Sequence, residues 1–221
     1  MTKKIQTYSA EEVLEIFIEQ HRLCSPLDPE ADRWAEITAE MSIREWRWAN
    51  DLLEWKNLSE FLNQEFRINI PDNKWFEALE PAKAKKLSGV CTLISNYAVK
   101  DSYEAKKLFG TPCIKAGLFL TIKRNLERKG VDVSELKPSS NLAEFLNKYF
   151  SPVLEEITLT GAKGIEISKT KTKNEITNKG FWKSFKMEQQ ELVLTDLKTF
   201  RDLMEKIIEN TNRNFGSKRI I

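Results

Sequence analysis

Apolar residues in this chain recur at three- and four-residue spacing in short blocks closed by proline or glycine, a pattern that demands many short amphipathic helices. Ser9 precedes the first block, with Glu11 and Glu12 in its first turn and Val13, Leu14, Phe17 and Ile18 on one face. Ser25-Pro26-Leu27-Asp28-Pro29 ends it, since proline cannot continue a helix. A second helix is expected to carry Trp34, Ile37 and Met41 on one face. Ser42-Ile43-Arg44-Glu45 has the spacing of a capping box. Trp46, Ala49, Leu52, Leu53, Leu58, Phe61, Leu62 and Phe66 then run on as one helix or as two broken near Asn57. Trp75, Phe76 and Leu79 form a short turn closed by Pro81, and Ser88 is placed to cap a helix bearing Val90, Cys91, Leu93 and Ile94.

In the second half, Thr111-Pro112 predicts a cap and first turn for a helix over 113–129, with Ile114, Leu118, Phe119, Ile122 and Leu126 on its main face. This helix is expected to be the most buried; Gly117 permits close backbone approach and Gly130 suits a left-handed stop. Ile165 and Ile167 alternate with Glu166 and Ser168, and residues 191–194 read as a strand. Thr195 or Asp196 is expected to cap a last helix with Leu197, Phe200, Leu203, Met204, Ile207 and Ile208. The fold class is therefore mainly α: a helical bundle, with a small antiparallel β element and a terminal helix making the C-terminal part α+β. Two parts are expected, an acidic helical one over 1–108 and a basic α+β one over 109–221.

The net charge of +2 conceals an asymmetry. Residues 1–99 hold 12 Lys and Arg against 17 Asp and Glu, whereas residues 100–221 hold 23 against 16. Such halves attract each other within or between molecules, or the basic half meets an acidic partner. The longest apolar runs, such as residues 117–120, are far too short for a bilayer, and the N-terminus has no apolar export core. The expectation is a cytoplasmic protein with no membrane partner.

No catalytic constellation emerges, so the chain leans away from an enzyme and no cofactor is expected. Cys24, Cys91 and Cys113 are too scattered for a zinc site or disulfide framework, and Cys91 and Cys113 lie among apolar residues. His21 falls near a helix end, where its imidazolium favours the dipole. Asp51 with Glu54, and Glu60 near Glu65, read as solvated helix faces. Gly161-Ala162-Lys163-Gly164 lacks the spacing of a phosphate loop and reads as a turn.

Asp51-Leu52-Leu53, Phe66 fourteen residues beyond Leu52, and Ile68-Asn69-Ile70-Pro71-Asp72 carry a resemblance that spans residues 42–98. The segment resembles an acyl carrier protein: residues 58–66 look like its acidic helix body, and Lys86-Leu87-Ser88-Gly89-Val90 like the start of its last helix. Leu52 stands where such carriers have their phosphopantetheine serine, and Arg44, Arg47 and Lys56 interrupt the acidic docking face. The resemblance thus implies a carrier-shaped, non-enzymatic interaction protein that meets an unidentified protein partner through Asp51, Glu54, Trp55 and Lys56. The alternative is single-stranded nucleic-acid binding by the basic 161–186 segment, with Lys169, Lys171 and Lys173 on phosphates and Phe181 and Trp182 stacking on bases. Val131-Asp132-Val133 and Leu136-Lys137-Pro138 also echo Ile68-Asn69-Ile70 and Leu79-Glu80-Pro81, through either a decayed duplication or shared turn chemistry.

Overall fold

A computed structural model describes residues 6–108, 110–172 and 189–216. Ser9 starts the first helix, α1 (Ala10–Cys24), through a complete capping box with Glu12. Ser42 starts α2 (Ile43–Ala49) in the same way with Glu45. The expected helix over Trp34, Ile37 and Met41 does not form; residues 25–42 run through turns and bends. Asp28 and Asp32 accept hydrogen bonds from the amides of Glu30 and Trp34 at 2.9 and 3.0 Å. These local Asx bonds compete with helix formation. Ile37 is consequently buried while Trp34 lies in solvent.

The run toward Phe66 breaks at residues 50–54 and not at Asn57, leaving α3 as Trp55–Phe66. Asp51 adopts the left-handed conformation at φ 48°. The Leu52 amide donates back to the Arg47 carbonyl at 2.8 Å and the Asp51 amide to Trp48 at 3.5 Å, the paired bonds of a Schellman stop. Asp51-Leu52-Leu53 is therefore a helix terminator, not a position inside a helix, and Leu52 packs half-buried against the first core.

After α3 come α4 (Asp72–Leu79) and α5 (Leu87–Ser95). Ser88 does not cap α5: its amide donates to the Ala39 carbonyl at 2.9 Å and that of Leu87 to Met41 at 3.0 Å. Backbone carbonyls thus do the work of a side-chain cap. Thr111-Pro112 likewise lies in a hairpin of β1 (Lys106–Leu108) and β2 (Thr111–Cys113), and α6 (Ile114–Arg128) begins only afterwards. The residue before a proline is biased toward extended backbone, which favours the strand. Gly130 ends α6 as expected, at φ 79°.

The chain continues through α7 (Leu142–Lys148), α8 (Phe150–Leu159), a hairpin of β3 (Ile167–Thr172) and β4 (Gln189–Leu194), and α9 (Phe200–Gly216). Among the described residues there are thus nine helices and two small antiparallel sheets, a mainly α fold with a minor β component. The cap of α9 is neither Thr195 nor Asp196. Thr199 accepts from the Asp202 amide at 3.3 Å while the Asp202 carboxylate accepts from the Thr199 amide at 2.8 Å, and Leu197 precedes the helix.

Two apolar cores result. The first joins Phe17, Trp46, Leu62, Phe66, Trp75 and Ile94 from α1 to α5; the second joins Leu118, Ile122, Leu146, Ile157, Phe200 and Leu203. Leu159 at the end of α8 belongs to the first core although Val153 and Ile157 of the same helix belong to the second. The expectation that α6 is the most buried helix fails, because Ile114 and Leu120 are exposed; α8 instead buries residues 156–159 in an unbroken run.

Both cores contain the same device. Ser42 bridges Lys86, and Asn141 bridges Thr199, in each case two helix-start residues paired antiparallel. The Ile43 amide donates to Lys85, Leu87 to Met41 and Ser88 to Ala39; in the second half Leu142 donates to Lys198, Phe200 to Ser140 and Arg201 to Pro138. Position for position the three bonds coincide, pairing α2 and α5 in one half as α7 and α9 in the other. The correspondence aligns Asn141 with Ser42, a different register from the echo of Val131-Asp132-Val133 with Ile68-Asn69-Ile70. Ser42→Ala should lower stability by about 1 kcal/mol, the usual effect of losing a helix cap. Urea denaturation checks this, and an unchanged midpoint refutes it.

Candidate functional site

The seam between the two halves carries the least ordinary chemistry in the described residues. Glu65 shares a face of α3 with Leu58, Leu62 and Phe66 and is only 1% exposed. The solvated face expected for it is wrong: the spacing Leu58, Leu62, Glu65 puts it on the buried stripe. Its Oε1 accepts from the Gln20 side chain of α1, and its Oε2 has no partner among the described residues. Burial raises its pKa to about 8; the charge on Glu155 adds to that, while Lys129 and the Gln20 bond oppose it.

Glu156 on α8 is its counterpart, 3% exposed. Asn125 of α6 donates to its Oε1 at 2.8 Å, and its Oε2 also lacks a partner. Burial moves this carboxyl up to about 7, offset by Asn125, Lys129 and Arg67 and reinforced by Asp101. Arg67, left-handed at the end of α3, donates to Asn125 Oδ1 at 2.8 Å and to Asp101 at 2.7 Å. Asn125 donates in addition to Asp101 at 2.8 Å. Gln20 completes the crossing by reaching Thr158 Oγ1 of α8 at 3.4 Å. Lys129 pairs with Glu155 at 2.7 Å beside both acids. Cys24 lies near Glu65 and Glu155, and burial pushes its thiol up to about 12, which makes it a poor nucleophile.

The residues expected at an interaction face lie elsewhere, where α2 gives way to α3. Asp51, Glu54 and Lys56 are exposed, and Trp55 is half-buried with its ring edge-on to Phe76 at 5.3 Å. Glu54 pairs with Arg47 at 2.8 Å, and Arg47 reaches Glu80 at 3.5 Å. Next to Arg47 and Glu54 in the chain, Trp48 is 71% exposed and Leu53 55%, and Phe76 is 51% exposed. The expectation centred on Asp51, Glu54, Trp55 and Lys56 did not include these apolar residues, because helix spacing assigned Leu53 to a buried stripe.

Of the basic segment, Lys163 pairs with Glu15 at 2.6 Å and Lys169 donates to the Leu27 carbonyl at 2.6 Å, so both engage the acidic half. Lys171 sits in β3, while Lys173, Phe181 and Trp182 lie outside the described residues. His21 is buried, with Nδ1 2.9 Å from Asn50 Oδ1.

A cleft of about 450 Å³ is lined by Ser42, Arg44, Glu45, Trp48 and Lys83. A second, of about 510 Å³, lies where the connector holding Lys100, Asp101 and Glu104 crosses Gly117, Leu120 and Arg124 of α6. Glu65 and Glu156 line neither, so the two buried acids are not presented to a substrate there. Among the described residues no three His, Cys, Asp or Glu side chains are grouped to hold a metal ion, and no helix is long and apolar enough to cross a membrane. The chain matches no protein-family model, no curated protein and no solved structure.

Proposed function

We propose that this is a non-enzymatic protein-interaction protein whose docking face surrounds the Arg47–Glu54 ion pair. The observation that carries the reading is the exposure of Trp48 and Leu53, within a few residues of acidic Asp51 and Glu54 along the chain, and of Phe76 against Trp55. Large exposed apolar groups rimmed by charge are what docking surfaces present. The acidic balance of residues 1–99 favours a basic, apolar surface on the partner. The carrier-like segment supports the same face, used without a prosthetic group because Leu52 has no hydroxyl and is committed to a helix stop. Three unpaired cysteines fit a reducing compartment, and we assign the protein to the cytoplasm on that basis. Trp48→Ala combined with Leu53→Ala should weaken capture of the partner about tenfold or more while leaving helix content intact. Capture from extract by the wild type and the double variant, quantified side by side at low and moderate salt, checks it; equal recovery of every bound protein refutes the face.

A further inference from the structure

Glu65 and Glu156 are buried, each satisfied at one oxygen and orphaned at the other, and each belongs to a hydrogen-bond chain that crosses from one half to the other. A carboxylate in that setting would hold a full charge with an unpaired oxygen away from water, which is costly; a carboxylic acid holds none. We propose that the two acids form a pH-operated latch between the halves: uncharged, they let α8 seat against α1 beside Glu65, and their ionisation loosens the seam.

Titratable groups from several elements surround the two acids. Facing Glu65 are Gln20 and Cys24 from α1, Glu155 from α8 and Lys129 from the end of α6. Facing Glu156 are Asn125 from α6, Lys129, Arg67 from the end of α3, Asp101 and Tyr103 from the connector, and Tyr8 ahead of α1. The cations do not neutralise the acids directly, since Lys129 is bonded to Glu155 and Arg67 to Asp101. The two cations beside the acids thus each already hold a different carboxylate.

The direction of the pH effect follows from linkage. In the unfolded chain both glutamates ionise near the ordinary 4.5, whereas in the folded protein they hold their protons to about 8 and about 7. The folded state therefore binds more protons across that window, and stability falls as pH rises from about 5 to about 8. Below the window the seam is fully closed, and above it the fall levels off.

The test combines urea unfolding from pH 5 to pH 9 with amide exchange, corrected for the intrinsic rate, in the wild type and a Glu65→Gln/Glu156→Gln variant. The glutamines imitate the protonated acids in shape and charge. The wild-type unfolding constant should rise at least roughly a hundredfold across the window, and the variant's should stay nearly flat. At pH 9, exchange in residues 156–159 of α8 should be faster in the wild type than in the variant, with little difference in residues 90–94 of α5. An equal pH dependence in both proteins overturns the latch, and so does equal acceleration in α5 and α8. Should the variant not fold, infrared spectra of the wild type decide: protonated carboxyl bands present at pH 6 and lost by pH 9 support the latch, and their absence at pH 6 overturns it.

Discussion

Gly117→Ala should destabilise the protein by about 2 kcal/mol or more, against the propensity gain of about 1 kcal/mol that alanine normally brings to a helix. An added Cβ would lie 1.8 Å from the Glu104 carbonyl oxygen and 2.8 Å from its carbon. No side-chain rotation relieves that contact, because the obstructing atoms are backbone. The connector would have to lift from α6, and the same connector delivers Asp101 to Arg67 and Asn125 and packs Tyr103 against the second core. Packing loss therefore outweighs propensity. Urea denaturation decides the sign: a variant as stable as the wild type, or more so, would show that the connector does not press on α6.

Trp75→Ala should cost about 3–5 kcal/mol, the range for removing a large aromatic from a closed core. Trp75 is 0% exposed on α4, and its indole donates to Asn63 Oδ1 at 3.2 Å. Asn63 in turn holds both the amide and the carbonyl of Ile70, at 3.0 and 3.1 Å. The substitution thus opens a cavity and loosens the loop joining α3 to α4. Because native proteins have only about 5–15 kcal/mol in total, a loss of this size is a large fraction of the stability and should lower the thermal midpoint clearly. Trp34→Ala is the control: at 80% exposure it should change stability by no more than about 0.5 kcal/mol. Thermal unfolding followed by circular dichroism compares them, and similar midpoints for the two variants would contradict the first core as described.

The contrast between these tryptophans marks what could be read in the residues and what could not. Ser9 and Ser42 were legible as helix starts because their hydrogen bonds close within three residues, and Gly130 as a stop because its bonds are equally local. Thr199 offers the same signal through Asp202, but apolar Leu197 extends the helical pattern upstream and so places the expected cap at Thr195 or Asp196. The helix over Trp34, Ile37 and Met41 failed for a local reason too, the competing bonds of Asp28 and Asp32. Ser88 failed for a distant one: the carbonyls that satisfy the start of α5 come from residues 39 and 41.

The candidate sites divide in the same manner. Exposure of Asp51, Glu54 and Lys56 agrees with their charge and their place off the apolar stripe of α3, but exposure of Trp48 and Leu53 near them in the chain depends on where α2 stops. Burial of Glu65 was written in its spacing from Leu58 and Leu62.

Glu155 and Glu156 show where such reading ends. They are chemically identical neighbours on one helix, yet Glu155 meets Lys129 at 2.7 Å while Glu156 faces Asn125 in the interior with one oxygen unpaired. By itself the sequence determined that helices start at capping boxes, that the fold is mainly α, and that an acidic half precedes a basic one. Those properties rest on bonds within a few residues or on summed charge. Only the tertiary structure decided which acid lost its water, because desolvation depends on the elements that close over a side chain from far along the chain.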